Sequence, residues 1–404
     1  MAIMPNTRIS GPLAPYISGV WSHLIAQGYT PLTSRNLLRL ASHLSRWLVD
    51  AKLQLSDLTR EHVETFFGER RRAGYRSFFT PRSLGSILRY LEAKGVVSLP
   101  EAVVLRSAVD DLLDEYEQFL VKERGLEAST RSYYRSYAQK FLSHRFGSSS
   151  LELSRLNAND ITGFILHESE TSSVGTTKLM VTVVRSLLRF LHLRGDLQSD
   201  LVGAVPAVAG WRQAGVPKFI SPRELRLLLK SCDRRTHVGR RDFAILLLLA
   251  RLGLRSCEVA AVELDDIDWR AGELILHGKG RTESRLPLPS DVGQAIAGYL
   301  QRGRPSPLST SRSVFLTSRA PYRRLTGHRV TARVADASAR AGLRRISAHR
   351  LRHTTATQML RRGATLDEVA LVLRHRSVDT TAIYAKVDHS TLRELAQPWP
   401  GGDA

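Results

Sequence analysis

Cysteine is nearly absent from the 404-residue sequence, which contains only Cys232 and Cys257. Two thiols cannot form the disulfide framework of a small secreted domain, and neither belongs to a CxxC motif. The sequence also lacks HExxH and other spacings of side chains that hold zinc. We therefore expect two reduced cysteines in the core and no metal site.

Long hydrophobic runs are missing as well. The longest, FAILLLLA at residues 243–250, is far too short to span a bilayer. The N-terminus has no apolar segment of the kind found in signal peptides. These absences predict a cytoplasmic protein with no membrane association.

Acidic residues are in deficit, with 38 Asp and Glu against 59 Lys and Arg, which gives a net charge of +21. Such an excess favours a polyanionic partner and an affinity that depends on salt. Nucleic acid is the leading candidate, and an acidic membrane surface is the alternative. The hydrophobic fraction of 43% is typical of a globular protein, and the length is sufficient for two or three domains.

A nucleotide-binding loop is not indicated either. The segment GELILHGKG, residues 272–280, is similar to a P-loop, but Gly272 and Gly278 are one residue too far apart. Gly280 also stands where that motif requires Ser or Thr. We therefore expect no nucleotide cofactor.

Helical patterns fill the first two hundred residues, and they occur twice. SILRYLEAKGVV at residues 86–97 is similar to SLLRFLHLRGDL at residues 186–197, and LTREHVETFF at 58–67 corresponds to LNANDITGFI at 156–165. Apolar residues spaced three to four apart predict a helical bundle in each copy. The nearly constant offset favours a duplicated unit, and chance similarity between amphipathic helices is the alternative.

Functional residue types are concentrated in SAHRLRHTTATQMLRRGATLDEVALVLRHRSVDTTAIY, residues 347–384. His349 and Arg352 are three residues apart, so they share a face of a helix. His375 and Tyr384 follow on a turn and a last helix. Basic groups and imidazoles around a phenol suit the attack of an oxygen nucleophile on a phosphodiester. A solvated basic helix pair with a core tyrosine is the alternative.

These motifs resemble those of the tyrosine recombinases, also called the phage integrase family. HRLRH at 349–353, LRHRS at 373–377 and Tyr384 are similar to the carboxyl-terminal box of that family. The upstream segment ARLGLRSCEVAAVELDDIDW, residues 250–269, resembles its first arginine box. The motifs occur in the order that the family has.

Three further positions match the family. In the upstream box, Arg255 stands at the catalytic arginine, and Glu258 stands at the acidic position that orients this arginine or caps a helix. Arg255 itself is predicted to end a very apolar helix. HGKGRTESRLPLP, residues 277–289, predicts two strands about a turn, and Lys279 in that turn matches the family's lysine.

The resemblance implies an enzyme that cleaves and rejoins DNA through a 3′-phosphotyrosine intermediate. Tyr384 would be the nucleophile, and two arginines would hold the non-bridging oxygens. The histidines would orient groups or relay protons, and Lys279 would protonate the leaving oxygen. Because guanidinium groups supply the positive charge, no cofactor is implied. The implied catalytic residues are Arg255, Lys279, His349, Arg352, His375 and Tyr384.

One position departs from the family, because Arg374 replaces the glycine of a usual Leu-Gly-His turn. A positive φ there would add strain of up to about 1 kcal/mol. His353, next to Arg352, is predicted to lie on another face of the helix and to be structural. Arginine can bind phosphate in a bidentate manner, and the further candidates for contacts with DNA are Arg281, Arg350, Arg374 and Arg376.

The predicted fold is mainly α, with tandem helical, SAM-like N-terminal DNA-binding domains before a mixed α+β catalytic domain that contains a small antiparallel sheet. Residues 107–200 resemble the family's core-binding domain, and residues 1–105 are an additional copy. Residues 201–216 form a linker, and residues 217–404 form the catalytic domain. The additional copy contacts either DNA or a neighbouring subunit. The subunit contact would use an apolar face that comprises Trp21, Leu24, Leu37 and Trp47, and packing of that face within its own bundle is the alternative.

The partners implied by the resemblance are double-stranded DNA with specific recombination sites and further copies of the chain. Strand exchange implies a homo-tetramer on two DNA sites, in some systems with accessory proteins. The process would be the integration, excision or transposition of a mobile element. A type IB topoisomerase-like relaxing enzyme and a non-catalytic DNA-binding regulator are the alternative functions.

Overall fold

The structure is a computed structural model that describes residues 9–98, 107–147, 150–209, 218–278, 283–305, 311–374 and 381–387. The chain divides into two compact units. Residues 100–214 form one unit, and the residues before and after them together form the other.

The front module, residues 9–98, is a bundle of four helices that bury an apolar stripe, and two of the helices begin at side-chain caps. Thr30 and Thr59 each accept a hydrogen bond from a backbone N–H in the first turn of the helix that follows. Leu37 and Leu44, seven residues apart, lie in the core of the bundle. The helices are α1 (Ile17–Ala26), α2 (Pro31–Asp50), α3 (Arg60–Arg72) and α4 (Gly85–Ala93).

The apolar face considered for a contact with a neighbouring subunit packs inside the front module, as the alternative prediction has it. Trp21, Leu24 and Leu37 are buried in its core. Trp47 packs its ring against Phe66 and donates its indole N–H to the Glu69 carboxylate at 2.8 Å. These side chains therefore stabilise the bundle itself.

The second module, residues 107–209, has the same order of elements. In both modules a short 3₁₀ turn, Leu55–Asp57 or Leu153–Arg155, separates the second helix from the third. Its core is independent and includes Phe141 and Phe164. Its helices are α5 (Ala108–Lys122), α6 (Ala128–Phe146), α7 (Ala158–Thr171) and α8 (Val174–Leu193).

The C-terminal module, described between residues 218 and 387, packs helices around the apolar helix α10. Ten residues of α10 are buried, and six of them, residues 244–249, form one core with side chains of the later helices such as Val334 and Leu351. The helices are α9 (Pro222–Lys230), α10 (His237–Arg251), α11 (Ser256–Ala261), α12 (Ser290–Arg302), α13 (Gly327–Arg340), α14 (Ala348–Leu360) and α15 (Leu366–Leu373).

A small antiparallel sheet lies in this module. Strands β2 (Glu273–His277) and β3 (Glu283–Pro287) pair with Leu274 opposite Leu286, and β1 (Ile267–Asp268) joins the other edge of β2. Leu274 and Leu286 are buried on the same face of the sheet. The two strands predicted around Lys279 are confirmed, and so is the predicted fold class.

Two details of the fold concern the cysteines and the membrane. Cys232 is buried as predicted, but the prediction for Cys257 is wrong, because this thiol is exposed. The short helix α11 turns Val259 and Ala260 inward, and Cys257 in its first turn lies on the outer side. Within the described ranges, no helix combines the length and the apolar character needed to cross a membrane.

Candidate active site

Helix α14 carries the histidines and the arginine of the HRLRH motif. Ser347 caps the helix by accepting a hydrogen bond from the backbone N–H of Arg350. His349 and His353 are four residues apart and therefore lie on the same face, with ring centroids 4.3 Å apart in an edge-to-face arrangement. The two imidazoles form one pair at the surface of the helix.

Tyr384 lies in a 3₁₀ turn, Ile383–Val387, and its hydroxyl oxygen is 2.8 Å from Nδ1 of His353. The Tyr384 side chain is only 1% exposed, in a small core with Leu360 and Leu373. Burial raises the pKa of the Tyr384 phenol to about 12, although the charge of Arg352 acts in the opposite direction. The phenol is therefore protonated at neutral pH.

His353 therefore lies against the predicted nucleophile, a contact that the prediction of a structural role did not include. Burial, aided by the charges of His349 and Arg352, lowers the pKa of His353 to about 4. The imidazole is therefore neutral at neutral pH, and Nδ1 either accepts the phenolic O–H or donates to the phenolic oxygen, according to the tautomer. The spacing of four residues predicts the contact of His353 with His349, but no spacing in the sequence predicts its contact with Tyr384.

Arg352 lies beneath this pair, with a side chain that is almost fully buried. Its guanidinium donates hydrogen bonds to the carbonyl oxygens of Gly253, which follows α10, and of Leu373, which ends α15. Burial lowers the pKa of Arg352 to about 10, and the charge of Arg255 acts in the same direction. The group stays charged at neutral pH and fixes three segments around the site.

Arg255 is the N-cap residue of α11, so the prediction that it ends an apolar helix is wrong. Helix α10 stops at Arg251, and Gly253 then adopts a left-handed conformation with φ of +60°. The Glu258 carboxylate accepts hydrogen bonds from both the backbone N–H and Nη1 of Arg255, each at 2.7 Å. Glu258 therefore caps α11 and orients the Arg255 guanidinium.

Arg374 ends α15 in the left-handed region, with φ of +55° and ψ of +51°. Its Nη2 is 2.8 Å from Oε2 of Glu258, and its carbonyl oxygen accepts a hydrogen bond from Arg255 at 3.3 Å. Burial alone would raise the pKa of Glu258, but the hydrogen bonds from Arg255 and the charges of both arginines lower it. One carboxylate thus joins two arginines from distant parts of the chain.

His349 on α14 lies close enough to Arg255 and Arg352 for their charges to act on it. Burial lowers the pKa of His349, and the charges of Arg352 and Arg255 lower it further. Three guanidinium groups, those of Arg255, Arg352 and Arg374, face the single carboxylate of Glu258. This excess of fixed positive charge suits an anionic ligand.

Arg350 is partly buried and donates a hydrogen bond to the Phe219 carbonyl at 3.4 Å. Four predicted site residues lie outside the described residues, namely Lys279, Arg281, His375 and Arg376. In the part of the chain that the structure describes, no His, Cys, Asp and Glu side chains form a group that could hold a metal ion.

Comparisons with known proteins identify close relatives. The profile of the Phage integrase family matches residues 218–391. The Sinorhizobium fredii protein y4rA, named provisionally as an integrase/recombinase, is 41% identical over 97% of this chain and 95% of its own length. Tyrosine recombinase XerC of Oceanobacillus iheyensis is 31% identical over 70% of this chain and 93% of its own length. The y4rA match is long enough to include the front module.

Solved structures share the fold. The XerH site-specific recombinase, in a post-cleavage complex with its difH substrate, superimposes with a TM-score of 0.55 at 19% identity, over 82% of this chain and 93% of XerH. A lambda integrase tetramer bound to a Holliday junction gives a TM-score of 0.53 at 17% identity, over 78% of this chain and 90% of the integrase chain. At these identities the likeness concerns the fold.

Proposed function

The chain belongs to the phage integrase family of tyrosine recombinases, enzymes that cleave and rejoin DNA, and we propose that Tyr384 performs the cleavage by forming a 3′-phosphotyrosine bond. The observation that supports this role best is the 2.8 Å hydrogen bond between the Tyr384 hydroxyl and the neutral His353 imidazole. It holds a phenol next to a proton acceptor and beside fixed guanidinium groups.

In the proposed step, the phenolic oxygen of Tyr384 forms a bond to the phosphorus of a DNA phosphodiester, and the bond from phosphorus to the 5′ oxygen breaks. The phenolic proton passes to Nδ1 of His353, in the tautomer in which this atom accepts the hydrogen bond from the hydroxyl 2.8 Å away. Arg255 and Arg352 stabilise the charge that develops on the non-bridging oxygens.

The remaining steps use residues outside the described part of the chain. Lys279 protonates the departing 5′ oxygen, while His375 together with His349 orients the phosphate or relays protons. The 5′-hydroxyl of a second duplex then attacks the phosphotyrosine and releases Tyr384. Each bond that breaks is replaced by one of the same kind, so the exchange needs no nucleotide.

Access to Tyr384 requires a movement of the chain. With 1% of its side chain exposed, the phenol cannot reach a phosphodiester from solvent. We expect DNA to displace the turn Ile383–Val387 so that the hydroxyl meets the phosphate, and this order of events would keep the nucleophile covered until DNA is bound.

The proposed process is recombination between specific sites in double-stranded DNA, for the integration, excision or transposition of a mobile element. The net charge of +21 supports a DNA partner, and the integrase/recombinase name of y4rA supports the process. The chain would act as a homo-tetramer on two DNA sites, because exchange joins two duplexes. The lambda integrase tetramer bound to a Holliday junction supports this stoichiometry.

The test of this proposal is the variant Tyr384→Phe, which keeps the ring and removes the nucleophilic oxygen. On nicked duplexes that carry the inverted repeats flanking the gene, the wild-type chain should accumulate a covalent protein–DNA adduct. The variant should form none and should bind the same DNA with unchanged affinity. Tyr299→Phe is the matched control, because Tyr299 is also a buried tyrosine of the C-terminal module, and this variant should still form the adduct. A covalent adduct with Tyr384→Phe would show that another residue is the nucleophile.

A further inference from the structure

A basic segment of the front module is not used by the active site. Between residues 70 and 89 the sequence contains six arginines and neither Asp nor Glu. Most of this segment forms the loop between α3 and α4, residues 73–84. We refer to residues 71–84 as the arginine loop.

The corresponding part of the second module has a different structure. At the offset that aligns SILRYL with SLLRFL, the arginine loop corresponds to residues 171–184, most of which form the N-terminal half of α8. Those residues contain a single cation, Lys178, where the arginine loop contains four arginines. In the front module, Gly74 with φ of +80° and Pro81 interrupt the helix. The loop is thus specific to the front copy.

The arginine loop presents both charge and aromatic surface. Arg72, Arg76 and Arg82 are exposed, and none of them forms an ion pair with any residue that the structure describes. Tyr75 is 42% exposed and Phe79 is 40% exposed, which is unusual for large apolar rings. Uncompensated guanidinium groups beside exposed rings suit the phosphates and sugars of a nucleic acid.

Internal contacts hold the loop in place. Arg70 stacks its guanidinium 3.9 Å from the centroid of the Tyr75 ring, and its Nη1 lies 3.2 Å from Nδ1 of His43 on α2. Arg71 donates a hydrogen bond to the Phe79 carbonyl at 3.3 Å. The exposed side chains are therefore carried on a braced loop, which reduces the entropy that binding must overcome.

We propose that the arginine loop binds the phosphodiester backbone of duplex DNA, separately from the active site. This inference rests on the proposed function in one respect, which is that the partner of the chain is DNA. Arg72, Arg76 and Arg82 contact phosphates, and Tyr75 and Phe79 pack against the sugar edges. Contacts of this kind are independent of sequence and position the protein on the duplex.

The experiment compares two charge-matched variants of the full-length chain. The loop variant carries Arg72→Gln, Arg76→Gln and Arg82→Gln. The control variant carries Lys52→Gln, Arg60→Gln and Lys94→Gln, which removes three exposed charges from the same module. Arg60 begins α3 whereas Arg72 ends it, so these two positions are about 18 Å apart at 1.5 Å per residue. Matched circular dichroism spectra and melting temperatures establish that both variants fold.

Affinity for mixed-sequence duplex DNA is measured over a range of salt concentrations. The log–log salt slope of the loop variant should be shallower by about 0.9 for each lost phosphate contact, and the slope of the control should match the wild type. Equal slopes for the two variants would overturn the proposal. A larger loss of affinity for the same sequence as a single strand than for the duplex would overturn the duplex assignment.

Covalent adduct formation on nicked duplexes at saturating protein provides the independent readout. The loop variant should form the adduct as the wild type does, because it retains every residue placed in the active site. If the wild type formed no adduct while the loop variant still had the shallower salt slope, the proposed function would be wrong and the proposal that the arginine loop binds DNA would be supported. If the loop variant alone lost the adduct at saturation, the separation of the loop from the active site would be wrong.

Discussion

The pKa values of His353 and Tyr384 are displaced in opposite directions, and both displacements favour the neutral forms. The pKa of His353 falls to about 4, and that of Tyr384 rises to about 12. A neutral imidazole can accept the phenolic proton, whereas an imidazolium could not. Burial, which causes both shifts, therefore keeps both groups neutral but also opposes proton transfer between them. The proposed step consequently depends on the change of surroundings that accompanies the movement of Tyr384 on binding DNA.

We predict that His353→Gln lowers the single-turnover cleavage rate by about 10²-fold or more, because glutamine can accept a hydrogen bond but cannot take the proton. DNA affinity should change little. His237→Gln, at an exposed histidine at the start of α10, is the matched control and should cleave at the wild-type rate. A His353→Gln chain that cleaves normally would show that the imidazole only fills space.

The same assignment predicts a pH profile. Because the pKa of His353 is lowered from 6.5 to about 4 in the folded chain, its neutral form persists well below pH 6.5. Cleavage should not decline through an inflection at 6.5 on account of this residue. Stability should decline as the pH falls from about 6.5 towards 4, because the unfolded chain binds the proton more readily. His353→Gln should flatten part of that decline.

Single residues also show what sequence patterns can and cannot reveal. The spacing of HRLRH predicts that His349 and Arg352 share a helix face and that His349 meets His353. No local spacing predicts the contact of His353 with Tyr384. The conformation of Gly253 ends α10 four residues before Arg255, although the apolar run seemed to continue the helix. The roles of Lys279 and His375 remain predictions.

At the scale of secondary-structure elements, Glu258 joins the start of α11 to the end of α15. The carboxylate caps α11 through the Arg255 backbone N–H and pairs with Arg374, 116 residues away in the sequence. The left-handed conformation of Arg374 costs about 1 kcal/mol relative to glycine. Its ion pair with Glu258, which lies largely buried, offsets part of that strain, which explains how arginine can occupy this turn.

We predict that Glu258→Gln lowers the free energy of unfolding by about 1–3 kcal/mol, since it leaves two arginines without their charged partner. The cleavage rate should fall further than DNA affinity, because Arg255 loses its orientation. Glu368→Gln is the matched control. Glu368 caps α15 with the same 2.7 Å contact to a backbone N–H, but it is exposed and lacks an arginine partner in the described structure. Equal destabilisation in the two variants would show that Glu258 acts only as a helix cap.

Helix starts can be predicted well from the sequence where they depend on residues close together in the chain. The capping boxes of Ser221 with Glu224 and of Thr365 with Glu368 are formed in the structure, and a sequence can indicate them because the motif depends on residues three apart. The pairing of Glu258 with Arg374 had no such signal. It depends on how α11 and α15 pack, and helical periodicity does not specify which side chains of distant helices meet.

At the scale of the whole molecule, the front module and the C-terminal module belong to one compact unit. The backbone N–H of Tyr322 donates a hydrogen bond to the Gln27 carbonyl at 3.4 Å, and the Tyr322 ring lies against Gly28. A Cβ atom added to Gly28 would be 2.1 Å from the ring. The sequence predicted contacts of the front module with DNA or a neighbouring subunit. It did not predict this contact, because the loops around Gly28 and Tyr322 are far apart in the sequence and neither has a periodic pattern.

The second module offers a test of this contact, because Gly125 lies between its first two helices as Gly28 does in the front module. Both glycines have positive φ, at +85° for Gly28 and +55° for Gly125, but no atom lies within 4 Å of a Cβ added to Gly125. We predict that Gly125→Ala lowers the free energy of unfolding by the conformational strain alone, about 1–2 kcal/mol. Gly28→Ala should lower it further and should increase hydrogen exchange in the loop around Tyr322, because the methyl group displaces the ring. In a Tyr322→Ala background, the additional loss of free energy of unfolding caused by Gly28→Ala should disappear, because the methyl group then has no ring to displace. If Gly28→Ala were no more destabilising than Gly125→Ala, or if its effect persisted without the Tyr322 ring, this contact would not hold the front module on the C-terminal module.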